Sequence, residues 1–215
     1  MQQATLSFGL LTDVQAANRP SIPNSEDPNR TLRYDEATAL LGEAIDFYNE
    51  FPSPLEFIIH LGDIVDGRED EEKTRADFEA VIAQLTRSHT PTINVLGNHC
   101  VKFTPRAEAC EMLSLPGGSD QIAYYRRELS ANWRLLVLDT TDLSVHGGWS
   151  EDSPQYAAAT EYMNAHAGAD RMKRWNGGLG KAQLEWLKSE LEAAKDACCR
   201  VIVASHHCLA RGASR

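Results

Sequence analysis

The chain has 215 residues, of which 42% are hydrophobic and 24% are charged, so it is long enough to bury the core of one large domain. Its 31 acidic residues outnumber the 21 Lys and Arg, and the net charge of −10 argues against nucleic acid or an anionic membrane as a partner. A phosphate substrate is still allowed, because a bound metal ion could supply the positive charge.

The first half of the chain predicts alternating strands and helices. Residues 6–11 (LSFGLL) predict a first strand, since no basic segment marks the N-terminus as a signal peptide. Residues 35–51 predict a helix, and LEFIIHL at 55–61 predicts a buried strand. A second helix over 70–87 and a strand at 92–96 (TINVL) follow.

The second half predicts two more strands, a long insert, and a final helix and strand. IAYYRR at 122–127 and WRLLVLDTT at 133–141 predict a strand pair. Residues 142–180 are rich in Gly, Ser, Asn and Trp, and so long a connection is more often functional than idle. Residues 181–197 predict a helix, and RVIVA at 200–204 predicts the last strand. The apolar positions of that helix are Leu184, Leu187, Leu191 and Ala194.

Polar side chains follow these strands at their carboxyl ends. Near-continuous apolar strands that alternate with helices are typical of an α/β fold, and such sheets bind ligands beyond the carboxyl ends of their strands. The residues at these ends are Asp13, Gln15, Asp63, Asn98, His99, Asp139 and His206. All except Asp139 are interpreted as metal ligands or acid/base groups.

The chemistry of these side chains favours a metal site. Carboxylate, amide and imidazole ligands together suit Mn²⁺, Fe²⁺ or Zn²⁺, and suit Mg²⁺ less well. Asp63 could bridge two ions, and a two-metal site activates water and clamps the oxygens of a displacement reaction. Gly62, Gly67 and Gly97 would let the backbone turn sharply beside the ions. His99 is expected to face the substrate and to protonate a leaving oxygen.

The motifs GDIVDG (62–67) and GNH (97–99), with Asp13 upstream and SHH (205–207) downstream, resemble the calcineurin-like metallophosphoesterase superfamily. The first motif is usually Asp-x-His, whereas Gln15 in TDVQ resembles one branch, the Mn²⁺-dependent ADP-ribose/CDP-alcohol diphosphatases. Two further stretches resemble that branch, RTLRYDEATALLGEAIDFYN and WNGGLGKAQLEWLKSEL, so the resemblance covers nearly the whole chain.

The resemblance implies a four-layer αββα sandwich, formed by residues 1–215 as a single domain with an insert at about 142–180. It implies two divalent metal ions, with Mn²⁺ favoured over Mg²⁺, Fe²⁺ or Zn²⁺, and His99 as the catalytic histidine. The implied reaction is hydrolysis of the phosphoanhydride of a small nucleotide such as ADP-ribose or CDP-choline. The implied metal ligands are Asp13, Gln15, Asp63, Asn98 and His206.

Two departures from the superfamily pattern leave alternatives open. Cys100 stands where an acid usually follows GNH, and no Gly-His-x-His motif, which completes both metal shells in the superfamily, occurs before Arg215. The C-terminal part of the domain is therefore expected to be missing, and an unfinished sheet would expose apolar strand surface. The alternatives are another phosphodiesterase or phosphomonoesterase with the same ligands, or a truncated, non-catalytic domain.

The remaining candidates have more ordinary interpretations. Asp66 is expected to support the site rather than bind metal, His60 to be a hydrogen-bonded core histidine, and His207 to point away from His206. Surface roles are expected for His89, His146 and His166. The five cysteines are odd in number and include an adjacent pair, which predicts a reducing, cytoplasmic setting and neither a disulfide framework nor a zinc site.

Overall fold

The structure is a computed structural model that describes residues 6–25 and 27–209. Its helices are α1 (Ala37–Asn49), α2 (Glu71–Leu85), α3 (Arg106–Met112), α4 (Pro154–Ala165) and α5 (Lys181–Asp196), with two 3-10 turns at His99–Val101 and Gly118–Asp120. Its strands are β1 (Phe8–Leu11), β2 (Ile22–Pro23), β3 (Thr31–Leu32), β4 (Phe57–His60), β5 (Thr92–Asn94), β6 (Tyr125–Ser130), β7 (Trp133–Val137) and β8 (Arg200–Ala204).

Two three-stranded sheets form the centre of the molecule. The first has the order β1-β4-β5 and is parallel throughout, with Phe8 opposite Phe57. The second has the order β6-β7-β8, in which β6 is antiparallel to β7 and β8 is parallel to it, with Trp133 opposite Arg200. Strands β2 and β3 form a separate short ribbon. Parallel pairing brings the carboxyl ends of neighbouring strands to one edge of each sheet.

The two sheets pack against each other and carry helices on their outer faces. Phe57 and Ile59 of β4 meet Leu135 and Val137 of β7 in one buried cluster between the sheets. A larger cluster joins the other face of the first sheet, through Ile58, to residues of α1, α2 and α3. Helix α5 contacts β8 in the second sheet. The layers are therefore helix, sheet, sheet and helix, which confirms the predicted αββα sandwich.

Helix α2 shows how local sequence sets one of these layers. The Asp70 side chain caps the helix by accepting a hydrogen bond from the Lys73 N–H at 3.0 Å, and Glu71 and Glu72 complement the positive end of the helix dipole. Phe78 and Val81 are fully buried against the first sheet. The apolar spacing that predicts this helix also identifies the face it buries. None of the helices in the described part of the chain is long and apolar enough to cross a bilayer.

Helix α5 forms where predicted, and one strand differs in detail. In α5, Gln183 and Ala194 are buried, while Leu184 and Leu191 are 50% and 43% exposed. Strand β6 begins at Tyr125, three residues after the start of the predicted strand. Val203 of β8 is 47% exposed.

The predicted insert at 142–180 contains helix α4 and is closed by hydrogen bonds between its two ends. The Leu143 N–H donates to the Gly178 carbonyl at 3.1 Å, and the Ser144 hydroxyl donates to the Asn176 carbonyl at 2.9 Å. Both ends of the insert are therefore held together beside the carboxyl end of β7. This position places the insert next to the strand ends that carry the candidate site.

Candidate metal centre

The loops that follow β1 and β4 lie side by side. The Asp13 N–H donates to the Gly62 carbonyl at 3.1 Å, and the Gln15 N–H donates to the Asp63 carbonyl at 2.9 Å. These bonds continue the parallel pairing of the two strands past their ends. They bring Asp13 and Gln15 next to Asp63, although about fifty residues separate the two motifs in the sequence.

Three of the predicted ligands have a left-handed backbone conformation. The φ angles are 50° at Asp13, 46° at Gln15 and 53° at Asp63. A non-glycine residue in this region is uncommon and costs about 1–3 kcal/mol, and such residues cluster at functional sites. The strain lies at the positions where the sequence predicts metal ligands, and nothing in the residue types themselves signals it.

His206 brings the second sheet to the same point. Its Nδ1 lies 2.9 Å from the Leu61 carbonyl, to which it can only donate, so the neutral ring presents Nε2 as an acceptor. Nε2 lies 3.1 Å from Asn98 Oδ1 and 3.4 Å from Asp63 Oδ2. Ligand atoms of Asp13, Asp63 and His206 all lie within 4.8 Å of one another. Several electron-pair donors that converge in this way are stabilised by a cation.

The donor set fits a divalent transition metal. Carboxylates and amides supply hard oxygens, imidazole supplies nitrogen, and the bond from His206 Nδ1 to a carbonyl is the usual way in which a ligating histidine is oriented. Gln15 lies beside this group, since its amide Nε2 donates to Asp63 Oδ2 at 3.5 Å. The structure thus brings all five predicted ligands together. In the part of the chain that the structure describes, the three charged members form the one cluster of His, Cys, Asp and Glu side chains with this geometry.

The glycines between the motifs are required by close contact. A Cβ on Gly97 would overlap both the carboxylate Oδ1 and the backbone nitrogen of Asp63. Gly62 has a φ of 101°, and a Cβ there would lie 2.9 Å from His206 Nδ1. Bare backbone at these two positions lets Asp63 and His206 reach the same point.

Asp63 and His206 shift each other's pKa. Burial would raise the pKa of Asp63, but the hydrogen bond and charge of His206, together with His99, lower it overall. Burial would likewise lower the pKa of His206, but the Asp63 carboxylate raises it overall. The carboxylate is therefore ionised at neutral pH, as a metal ligand must be.

His99 is held by two neighbouring acids, Asp63 and Asp66, through different atoms. Its backbone N–H donates to Asp63 Oδ1 at 2.8 Å. Its ring Nδ1 lies 2.7 Å from the Asp66 carbonyl and 3.2 Å from Asp66 Oδ1. Burial would lower the pKa of His99, but the bonds to Asp66 and the charge of Asp63 raise it overall. The ring is thus oriented and biased towards its protonated form, which suits a proton donor.

Asp66 supports the site rather than joining the ligand cluster. Besides His99 it contacts the Arg19 guanidinium, and Arg19 in turn stacks 3.9 Å above the Tyr34 ring. The sequence places Arg19 near the first motif but does not reveal its partner, because Asp66 is 47 residues away.

Other candidates take positions away from the ligand cluster. His207 points away from it, with Nε2 2.8 Å from the Trp175 carbonyl. His60 is 1% exposed and its Nδ1 accepts from the Gly62 N–H at 3.1 Å, but its Nε2 has no hydrogen-bond partner, so the ring is only half satisfied. Asp139 forms a buried ion pair with Arg106. His146 is half-buried beside His99, contrary to the expected surface role.

The cysteines take no part in this chemistry. Cys100 is fully buried, and burial raises the pKa of its thiol to about 12. A thiol of this kind is inert as a nucleophile or as a metal ligand. None of the cysteines in the described part of the chain forms a disulfide.

Comparison with protein families places this geometry in context. The sequence profile described as calcineurin-like phosphoesterase matches residues 6–215. A manganese-dependent ADP-ribose/CDP-alcohol diphosphatase of Arabidopsis thaliana is 33% identical over 95% of this chain, and one of Oryza sativa subsp. japonica is 31% identical over 95%. The chain spans 68% and 66% of the length of these two relatives.

A solved structure supports the same comparison. A dimetal phosphatase from Danio rerio superposes with a TM-score of 0.84 at 25% identity. The match covers 95% of this chain and 70% of that one. The layered fold is therefore shared with a protein that is named for two metal ions.

Proposed function

The chain belongs to the calcineurin-like phosphoesterase family, and on this premise we propose that it hydrolyses the phosphoanhydride bond of nucleoside diphosphate-linked compounds. ADP-ribose and CDP-alcohols such as CDP-choline are the proposed substrates, since the Arabidopsis and rice relatives carry these names. Gln15, in place of the histidine usual in the first motif, supports the choice of this branch.

The proposed ligands of the two divalent ions, with Mn²⁺ first, are Asp13, Gln15, Asp63, Asn98 and His206. Asp63 is the proposed bridging ligand, because its two oxygens face different partners, the His99 N–H and His206 Nε2. Bound divalent ions supply charge neutralisation and a hydroxide nucleophile near neutral pH. The observation that carries the proposal is the convergence of His206 Nε2, Asn98 Oδ1 and Asp63 Oδ2 on one point beside two strained acids.

His99 is the proposed general acid. Its Nδ1 is occupied by Asp66, so the opposite ring nitrogen is the one that can donate a proton to the leaving oxygen. The raised pKa keeps a larger fraction of the ring protonated at neutral pH. The backbone bond to Asp63 ties the position of this acid to the proposed bridging ligand.

We also propose that residues 1–215 act as one domain with 142–180 as its insert, and that the protein works on small nucleotides in the cytoplasm. The layered core shared by both sheets supports the first point. The net charge of −10 and the free cysteines of the described residues support the second.

The test is hydrolysis of ADP-ribose by the purified chain with Mn²⁺, beside the same reaction in chelator. We expect Mn²⁺-dependent release of AMP and ribose 5-phosphate. Asp63→Asn should abolish it and should also abolish Mn²⁺ binding in a calorimetric titration. Asp170→Asn, which changes an exposed carboxylate outside the site, is the matched control and should behave like the wild type.

A substrate panel separates this proposal from the phosphomonoesterase and phosphodiesterase alternatives. ADP-ribose and CDP-choline should exceed p-nitrophenyl phosphate and bis-p-nitrophenyl phosphate in kcat/KM. A wild-type chain that prefers the single-phosphate compounds would overturn the substrate assignment. A folded chain that binds Mn²⁺ and turns over none of the panel would instead identify a non-catalytic form.

A further inference from the structure

Three basic residues lie close to His99 and have no role in the proposed reaction so far. Lys102 follows the same 3-10 turn, and its N–H donates to the His99 carbonyl at 3.3 Å. His146 lies in the turn after β7, where its N–H donates to the Ser144 hydroxyl at 3.1 Å. Arg174 lies near the end of the insert, directly before Trp175.

Contacts between three chain segments bring these residues together. The turn at 144–148 packs on the 3-10 turn so closely that a Cβ on Gly148 would lie 2.6 Å from Val101 Cβ. The end of the insert joins the same turn through the bond from the Ser144 hydroxyl to the Asn176 carbonyl. It also joins the strand end that carries His206, since the Trp175 carbonyl lies 2.8 Å from His207 Nε2.

The charges of this group are not balanced by acids. Burial lowers the pKa of His146, and Arg174, Lys102 and His99 lower it further by charge repulsion. Among the residues that the structure describes, neither Lys102 nor Arg174 pairs with a carboxylate, and the Lys102 ammonium lies 5.2 Å from the centre of the Phe103 ring. The charged groups that act on His146 are therefore all basic, although the chain has a net charge of −10. A bound anion would balance the charge of this group.

We propose that Lys102, His146 and Arg174 form a subsite for the second phosphate of a diphosphate substrate, the phosphate that is not attacked. The inference rests on the proposed function, because it takes the attacked phosphate to lie at Asp13, Asp63 and His206. The Lys and Arg side chains donate charge-assisted hydrogen bonds to phosphate oxygens, and neutral His146 donates one N–H. The subsite would make a diphosphate bind more tightly than a monophosphate.

The experiment compares two non-reacting ligands of the metal-loaded chain. The probes are α,β-methylene-ADP, which has two phosphates and an uncleavable bridge, and AMP, which has one. Binding is measured by calorimetry at a fixed concentration of free Mn²⁺. The test variant combines Lys102→Met, His146→Gln and Arg174→Met. The control combines Arg171→Met and Lys173→Met, two positions on the same segment that line a separate cavity beside Tyr162 and Met163.

We expect the wild type and the control to bind α,β-methylene-ADP at least tenfold more tightly than AMP. The triple variant should lose at least tenfold in affinity for α,β-methylene-ADP and less than about twofold for AMP, because each charge-assisted hydrogen bond contributes appreciably to binding. Equal losses for both ligands, or no loss for either, would overturn the subsite.

These results separate the subsite from the reaction. A wild type that prefers α,β-methylene-ADP, and a triple variant that loses this preference, support the subsite even if ADP-ribose is not hydrolysed, in which case only the proposed reaction fails. A wild type that hydrolyses ADP-ribose while the triple variant binds both ligands unchanged contradicts the subsite alone. A triple variant that changes only the salt dependence of the reaction rate also overturns it, since that is the effect of long-range steering.

Discussion

At the scale of single residues, Asp66 determines both the orientation and the pKa of the His99 ring. Asp66 holds His99 Nδ1 through both its backbone carbonyl and its carboxylate. The two contacts can be separated experimentally, because a change of the side chain leaves the carbonyl in place. Asp66 is thus a positioning residue whose carboxylate also raises the pKa of His99.

Replacing Asp66 by Asn should therefore change the pH profile as well as the rate. The raised pKa of His99 keeps the acid protonated as pH rises, so its loss should move the alkaline limb of kcat to lower pH. We expect kcat to fall by about 10- to 100-fold, within the range typical of general acid catalysis. Asp77→Asn is the control, since Asp77 is a buried partner of Arg68 away from His99. An unshifted alkaline limb in Asp66→Asn would contradict the role of its carboxylate.

A single methyl group at Gly97 should disturb the metal centre. Its Cβ would overlap Asp63, and relief requires either the ligand or the loop to move. We expect Gly97→Ala to lose at least tenfold in Mn²⁺ affinity and to lower the unfolding free energy by about 1–3 kcal/mol. Gly178→Ala is the matched control, because its Cβ would lie 3.8 Å from the nearest side-chain atom, on Leu143. Calorimetry and urea unfolding measure both effects, and wild-type Mn²⁺ affinity in Gly97→Ala would refute the argument.

The sequence predicts which side chains lie together at this scale, because the proposed ligands follow apolar strands in short motifs. It does not predict the contacts that join distant segments. The pairing of Arg19 with Asp66, and the packing of Gly148 on Val101, depend on how loops pack and have no periodic signal. The strained φ angles at Asp13 and Asp63 are likewise invisible in the residue types.

At the scale of secondary-structure elements, a buried network joins α3 to the turn after β7. Arg106 is 2% exposed and contacts Asp139, the Thr141 hydroxyl at 2.8 Å and the Gly147 carbonyl at 2.7 Å. Its guanidinium also stacks 4.0 Å from the centre of the Trp149 ring. The network fixes the start of the turn that carries His146.

Removing the Arg106 charge should destabilise the protein strongly. Arg106→Met leaves the buried Asp139 carboxylate without its counter-ion, which typically costs about 3–5 kcal/mol of unfolding free energy. Arg126→Met should cost less than about 1 kcal/mol, because Arg126 is half-exposed where it meets Glu190. Urea unfolding of the two variants measures the contrast. Similar losses in both would show that burial of the Arg106 pair has little energetic consequence.

The sequence predicts α1 and α2 best, because their apolar residues recur with helical period over several turns. Helix α3 is missing from the prediction because it has seven residues, begins after Pro105 and buries an arginine. Helix α5 is predicted in position. The burial of Gln183 has no apolar signal in the sequence, because it follows from a bond to the backbone of Asp139 at 2.9 Å.

At the scale of the whole molecule, the buried side chain of His60 should make the unfolding free energy depend on pH. Burial lowers its pKa from 6.5 to about 4. Below pH 6.5 the unfolded chain binds a proton that the folded chain does not bind until about pH 4. The unfolding free energy should therefore fall by roughly 3 kcal/mol over this window from His60 alone.

His60→Asn isolates this contribution, because the Asn oxygen can still accept from the Gly62 N–H but does not titrate. We expect the wild type to lose more stability than His60→Asn between pH 7 and pH 4 in metal-free urea unfolding. His89→Asn, at an exposed histidine, should follow the wild type. Parallel stability curves for the wild type and His60→Asn would show that folding does not lower the pKa of His60.

The order of pairing in the two sheets has a consequence for folding kinetics. β1 pairs with β4 across α1, and β7 pairs with β8 across the whole insert and α5, so both pairings close long loops. Non-local pairing of this kind slows folding, because chain entropy is lost before contacts are gained. Of the proposed ligands, Asp13 follows β1 and His206 follows β8, so we expect high-affinity capture of Mn²⁺ to require both closures. The rate at which refolding chains acquire metal would then report the final topological step of folding rather than the initial collapse.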